Sequence, residues 1–140
     1  MFATLPFCEL AAYLHAGTAR LARLTAEFDD RGGWNGYGLR SCAQWLTITT
    51  GHGLHAGETI VAIGHAMETL PRIAAAFASG ELSYDKVREL IRVATPTDED
   101  IRLEVARQAS AIQLTRIVRA GRRCMEQADA DRATRQRAQR

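Results

Sequence analysis

Three groups of side chains in this 140-residue sequence could do chemistry: histidines, aromatics framed by glycines, and arginines. His52, His55 and His65 are the plausible metal ligands. His52 and His55 fall in a glycine-broken turn and His65 on a helix, and no carboxylate or cysteine joins them at a metal-ligand spacing. Nor does a glutamate pair with them as in a zinc-protease helix. They read as solvated histidines, and no metal or cofactor is expected. A serine or cysteine nucleophile needs a base oriented by a third group. No local signature supplies one, so no catalytic residue is expected. Gly32-Gly33 and Gly36-Tyr37-Gly38 resemble a phosphate-cradling loop, yet no strand precedes them and no Lys-Ser/Thr pair follows. An interhelical loop with Trp34 and Tyr37 packed onto the core is expected instead.

The arginines are the better candidates. Residues 1–115 carry ten basic and thirteen acidic side chains, a net of −3, whereas residues 116–140 carry eight arginines against three acids, a net of +5. Arg116, Arg119, Arg122, Arg123, Arg132, Arg135, Arg137 and Arg140 thus form a basic arm on an acidic body. Arg116, Arg119 and Arg123 are spaced by three and four on one helix face, with Arg122 beside them. Such a stripe could neutralise phosphates and bind nucleic acid, DNA first, without sequence preference. The competing reading is a solvated face that pairs with the acidic body, or a solubilising tail. The stretch Ser41–Leu70 roughly matches a helix-turn-helix, but its second helix lacks any arginine or lysine and carries Glu58 and Glu68. Helix-hairpin packing accounts for it better than base reading.

The elements that must position these residues are helical. Phe7, Leu10, Leu14, Gly17, Leu21, Leu24 and Phe28 alternate steps of three and four and predict one helix from about Pro6 to Asp29 with this stripe as its apolar face. The glycine cluster after Asp30 breaks it. Ser41 and Gln44 form a capping box ahead of a second helix that stops near Gly51. A third spans roughly Ala56 to Leu70, and Pro71 opens a fourth that Gly80 closes in a left-handed cap. Ser83 caps a fifth, and Thr97 caps a sixth whose first turn holds Asp98, Glu99 and Asp100. Ser110 and Gln113 start the last helix. The fold class is all-α with seven helices, the first and last long: a helical domain over 1–125 and an arginine-rich tail over 126–140, where the stripe fades and the helix projects or frays.

Nothing approaches the length of a membrane span, and the apolar start, Met1–Leu14, lacks a basic leader. Cys8, Cys42 and Cys124, odd in number and far apart within apolar patterns, read as buried free thiols. A cytoplasmic protein is expected.

The run Leu70-Pro71-Arg72-Ile73-Ala74-Ala75-Ala76-Phe77-Ala78-Ser79-Gly80-Glu81-Leu82-Ser83-Tyr84-Asp85-Lys86-Val87-Arg88 adds a family signal. With Arg31-Gly32-Gly33-Trp34, Ser41-Cys42-Ala43-Gln44-Trp45-Leu46 and Arg92-Val93-Ala94-Thr95-Pro96, it resembles the actinobacterial domain of unknown function 222, or 13E12 repeat, family from about Leu10 to Arg123. In that family the helical region usually precedes an HNH nuclease domain. The resemblance therefore implies a role in DNA recognition or nuclease assembly. No histidine follows His65 and the sequence ends at Arg140, so the nuclease's catalytic residues have no counterpart here and no enzyme is expected. Two functions stand in competition. One is a non-catalytic helical module touching nucleic acid through Arg116, Arg119, Arg122 and Arg123. The other is a protein-interaction module that docks itself or a nuclease-bearing relative through the first helix. The second requires that the stripe of that helix not be covered by its own chain. No small-molecule substrate or membrane partner is implied.

Overall fold

Seven helices are present in the computed structural model, which describes residues 4–36 and 38–139: α1 (Leu5–Asp30), α2 (Cys42–Thr50), α3 (Leu54–Met67), α4 (Pro71–Ala78), α5 (Tyr84–Leu90), α6 (Glu99–Gln108) and α7 (Ala111–Ala138). Among the described residues there is no strand, and no helix is long and apolar enough to cross a membrane. The all-α architecture with long first and last helices is as expected. Tyr37 and Arg140 lie outside the described residues.

The first helix packs by a face other than the one its bulky residues mark. Ala19, Ala22, Thr25 and Ala26 are its buried residues, whereas Phe7, Leu10 and Leu14 are 77%, 61% and 64% exposed. The reason is distance. α1 lies so close to α3 and to the end of α4 that only small side chains fit between them. A Cβ on Gly64 of α3 would stand 2.2 Å from the Ala22 carbonyl oxygen, and one on Gly80 would stand 2.5 Å from that of Ala12. Gly80 also takes φ +81°, so both its conformation and its surroundings exclude a side chain. The bulky stripe is therefore the outer face of α1. Only its C-terminal half is partly covered: Leu21 packs against the core, and the Phe28 and Trp45 rings meet at a tilt with centroids 4.2 Å apart.

α3 sits at the centre, against α1, α2, α4 and α5, while α7 packs on α5 and α6 alone. Ile60, Ile63, Leu46, Leu70, Ile73, Phe77, Leu82, Val87, Leu90, Leu103, Leu114 and Val118 form one continuous core. Each such aliphatic or aromatic side chain contributes about 1.5–3 kcal/mol on burial. With Gly57, Ile60, Ile63, Gly64 and Met67 all buried, α3 is a core helix; this agrees with hairpin packing of α2 and α3.

Serine caps start three of the seven helices. Ser41 accepts from the Gln44 N–H, Ser83 from that of Lys86, and Ser110 and Gln113 cap each other's backbone reciprocally. Gln44 differs from the expectation, since its side-chain oxygen accepts from the Arg40 N–H and the box is displaced by one residue. The sixth helix differs too. Its N-cap position is Asp98 and not Thr97, and that side chain turns back from the helix: the Asp98 carboxylate accepts from the Thr95 N–H (2.7 Å) while the Asp98 N–H donates to the Thr95 hydroxyl (3.4 Å). α4 follows Leu70, which has no side-chain acceptor, and is capped from afar: buried Glu99 of α6 accepts from the Ile73 N–H at 2.7 Å. His15 of α1 similarly accepts from the Tyr84 N–H at the start of α5.

Of the three free cysteines only Cys42 is buried. Cys8 and Cys124 are exposed, contrary to expectation, because Cys8 lies on the uncovered part of α1 and Cys124 lies beyond the last buried residue of α7.

Candidate functional site

The arginine stripe is built by α7. Leu114 and Val118 anchor its first turns against the body, and every described residue after Val118 is exposed. The helix nevertheless continues to Ala138, so about 30 Å of it stands clear of the core. The arm is helical through the segment expected to project or fray. At 100° per residue Arg116, Arg119, Arg122 and Arg123 occupy about a third of its circumference, bordering the Leu114–Val118 side, with Arg122 about 40° round from Val118. All four are exposed. Arg119, Arg122 and Arg123, with Glu126, line a shallow surface depression of about 400 Å³.

About half of the body's arginines are held in ion pairs, whereas Arg20, Arg23, Arg31 and Arg40 are in none among the described residues. On the body Arg72 pairs with Asp100, Arg88 with Asp85, Arg92 with Glu89, Arg102 with Asp98, and Arg107 with both Glu81 and Glu104. On α7 the single pair among the described residues is Arg132 with Asp129. The four stripe guanidinium groups therefore make no ion pair among the described residues, and their donors point to solvent.

A second constellation lies at the far end of α1. The His65 Nε2 is 2.6 Å from Asp29 Oδ2, and the other Asp29 oxygen accepts from the Trp34 indole N–H at 2.7 Å. A carboxylate only accepts, so His65 carries its proton on Nε2 here. Its Nδ1 faces Asp30 at 3.5 Å and Glu68 at 3.3 Å. The Asp29 hydrogen bond raises the His65 pKa, burial opposes this, and the charges of Asp29, Asp30 and Glu68 add to the rise. Hydrogen bonding with Asp30, and behind it desolvation and the Asp30 charge, push the Glu68 carboxyl upward. Beside Glu68 a crevice of about 590 Å³ opens between α1 and α3, with Ala19, Gly64 and Met67 at its floor and Arg20 and Arg23 at its rim.

The structure thus separates the three histidines considered from sequence. His52 bonds to the Thr50 hydroxyl at 2.6 Å, His55 is exposed on the first turn of α3, and His65 alone meets carboxylates. Asp29 and Asp30 carry no sequence signal of this meeting, because 35 residues or more separate them from His65. Glu68, three positions on at the C-terminal cap of the same helix, carries a signal that spacing reveals. Trp34 is half-buried by its bond to Asp29, while Tyr37 is outside the described residues.

The family described as "Domain of unknown function (DUF222)" matches residues 7–140. The chain belongs to that family. The match takes in both constellations and the whole of the described arm. No curated protein and no solved structure matches the chain.

Proposed function

We propose that this chain is a non-catalytic helical module that holds nucleic acid, duplex DNA foremost, through the phosphate backbone. The observation carrying this reading is the unpaired, one-sided stripe Arg116, Arg119, Arg122 and Arg123 on a helix standing clear of an acidic body. Arginine forks donate bidentately to phosphate, and a free stripe has no internal salt bridge to surrender on binding. The resemblance to regions that precede HNH nuclease domains fits a cytoplasmic DNA-holding part whose chemistry is supplied elsewhere.

Fluorescence anisotropy with duplex DNA, single-stranded DNA and RNA across a salt series tests it. Four neutralised phosphates give a log–log salt slope of about −3.6, and replacing the four arginines by glutamine removes most of it, equally for all sequences. No binding at low salt, or binding that the quadruple variant leaves intact, overturns the reading.

The uncovered stripe of α1 supports a second reading, docking of another copy of this chain through Phe7, Leu10 and Leu14. Contiguous exposed apolar surface of this kind marks interaction sites. Light scattering coupled to gel filtration would then give a dimer that Leu10→Glu and Leu14→Glu dissociate. A monomer at high concentration rejects it.

A further inference from the structure

We infer that His65, Asp30 and Glu68 form a binding site for one divalent first-row transition ion, joining the end of α1 to the end of α3. Each residue offers one donor atom, and these atoms lie within 4.8 Å of one another. Donors arranged tetrahedrally at roughly 2.1 Å from an ion stand about 3.4 Å apart. The His65 Nδ1 separations of 3.3 Å from Glu68 and 3.5 Å from Asp30 match that edge. One imidazole with two carboxylates suits the borderline ion Zn²⁺, or the harder Mn²⁺ that still accepts imidazole, better than Mg²⁺ or Ca²⁺, which take oxygen alone.

The surroundings add an independent observation. Asp29 is not among the three donors, yet it takes the Nε2–H of His65 and is itself held by the Trp34 indole. This is the outer arrangement metal-binding histidines use: a carboxylate fixes the tautomer and turns the other nitrogen's lone pair to the ion. The side chains of His65, Asp30 and Glu68 are 34%, 53% and 46% exposed, so an ion can enter and water can complete its coordination. A divalent charge also neutralises the two carboxylates.

Zn²⁺ and Mn²⁺ titration by calorimetry, on the full chain with Cys8→Ser and Cys124→Ser to remove the exposed thiols, tests the site. One ion per chain is expected to bind saturably. Glu68→Gln and Asp30→Asn, both at exposed positions, should each weaken binding tenfold or more, and Asp29→Asn should weaken it through the orientation of His65. Co²⁺ should give a visible spectrum that His65→Gln changes. Circular dichroism of each variant separates lost binding from lost folding. Absence of saturable binding, or affinity unchanged in Glu68→Gln and Asp30→Asn, overturns the site and assigns the cluster to a protonated histidine held by carboxylates.

Discussion

Replacing Gly64 by alanine should destabilise the protein, although alanine is the better helix former. Within a helix the exchange contributes about 1 kcal/mol in favour of alanine. At Gly64 the new methyl would lie 2.2 Å from the Ala22 carbonyl oxygen and 2.9 Å from the Ala26 Cβ. The first obstacle is backbone and cannot rotate away, so α1 and α3 must part by about 1 Å. A gap of that size forfeits a quarter to a half of each dispersion contact across the seam. That seam holds Ala19, Ala22 and Ala26 against Ile60, Ile63 and Met67. Overpacking of this severity costs about 3 kcal/mol, leaving a net loss of about 2 kcal/mol and a Tm lower by about 6 °C. Gly17 of α1 supplies the control, because its added Cβ meets nothing within 4 Å. Gly17→Ala should gain about 1 kcal/mol and raise Tm by about 3 °C. Urea and thermal unfolding followed at 222 nm measure both. If Gly64→Ala is as stable as Gly17→Ala, the close approach of α1 and α3 is wrong.

Three further outcomes follow from single contacts. Glu99→Ala strands the buried Ile73 N–H at the start of α4 and should cost about 1–3 kcal/mol in urea unfolding, whereas Glu99→Gln, which retains an acceptor, should cost less. Burial, and behind it the Asp29 charge, pushes the Cys42 thiol up to about 11, so roughly 0.1% is thiolate at pH 8. A chromogenic disulfide reagent should therefore modify two thiols quickly and Cys42 on the timescale of unfolding; three equal rates would refute its burial. Burial alone would raise the Asp98 pKa, but the Thr95 N–H, the Arg102 guanidinium and the Thr95 hydroxyl lower it overall. Its stabilising contribution is then complete above the unfolded value of about 3.9 and is lost as pH falls through the lower folded value. Asp98→Asn should flatten the acid limb of the stability profile below about pH 4 and leave its slope near neutrality unchanged.

Helix existence and order were legible because caps and breakers act locally. Ser83, Ser110, Pro71 and Gly80 do in the structure what their positions imply. The buried face of α1 was not legible. Periodicity weighs side chains by hydrophobicity, and Phe7, Leu10 and Leu14 outweigh Ala19, Ala22 and Ala26. Close helix approach selects residues for smallness, and its sign lies in the partners, Gly64 and Gly80, far along the chain. The same holds for α4, whose missing cap comes from Glu99 twenty-six positions beyond Ile73.

The two constellations differ in how sequence could reveal them. An arginine stripe lies on one helix, where spacing of three and four suffices to bring Arg116, Arg119 and Arg123 to a face. The histidine cluster joins α1 to α3 and exists only once Gly64 lets those helices meet. This makes the two functional tests separable. α7 touches neither α1 nor α3 and reaches them only through α5 and α6. A loss of metal binding in Glu68→Gln with DNA affinity intact, and the converse in the arginine variant, is the pattern this connectivity requires. Loss of both in Gly64→Ala would instead report the seam on which the N-terminal half is built.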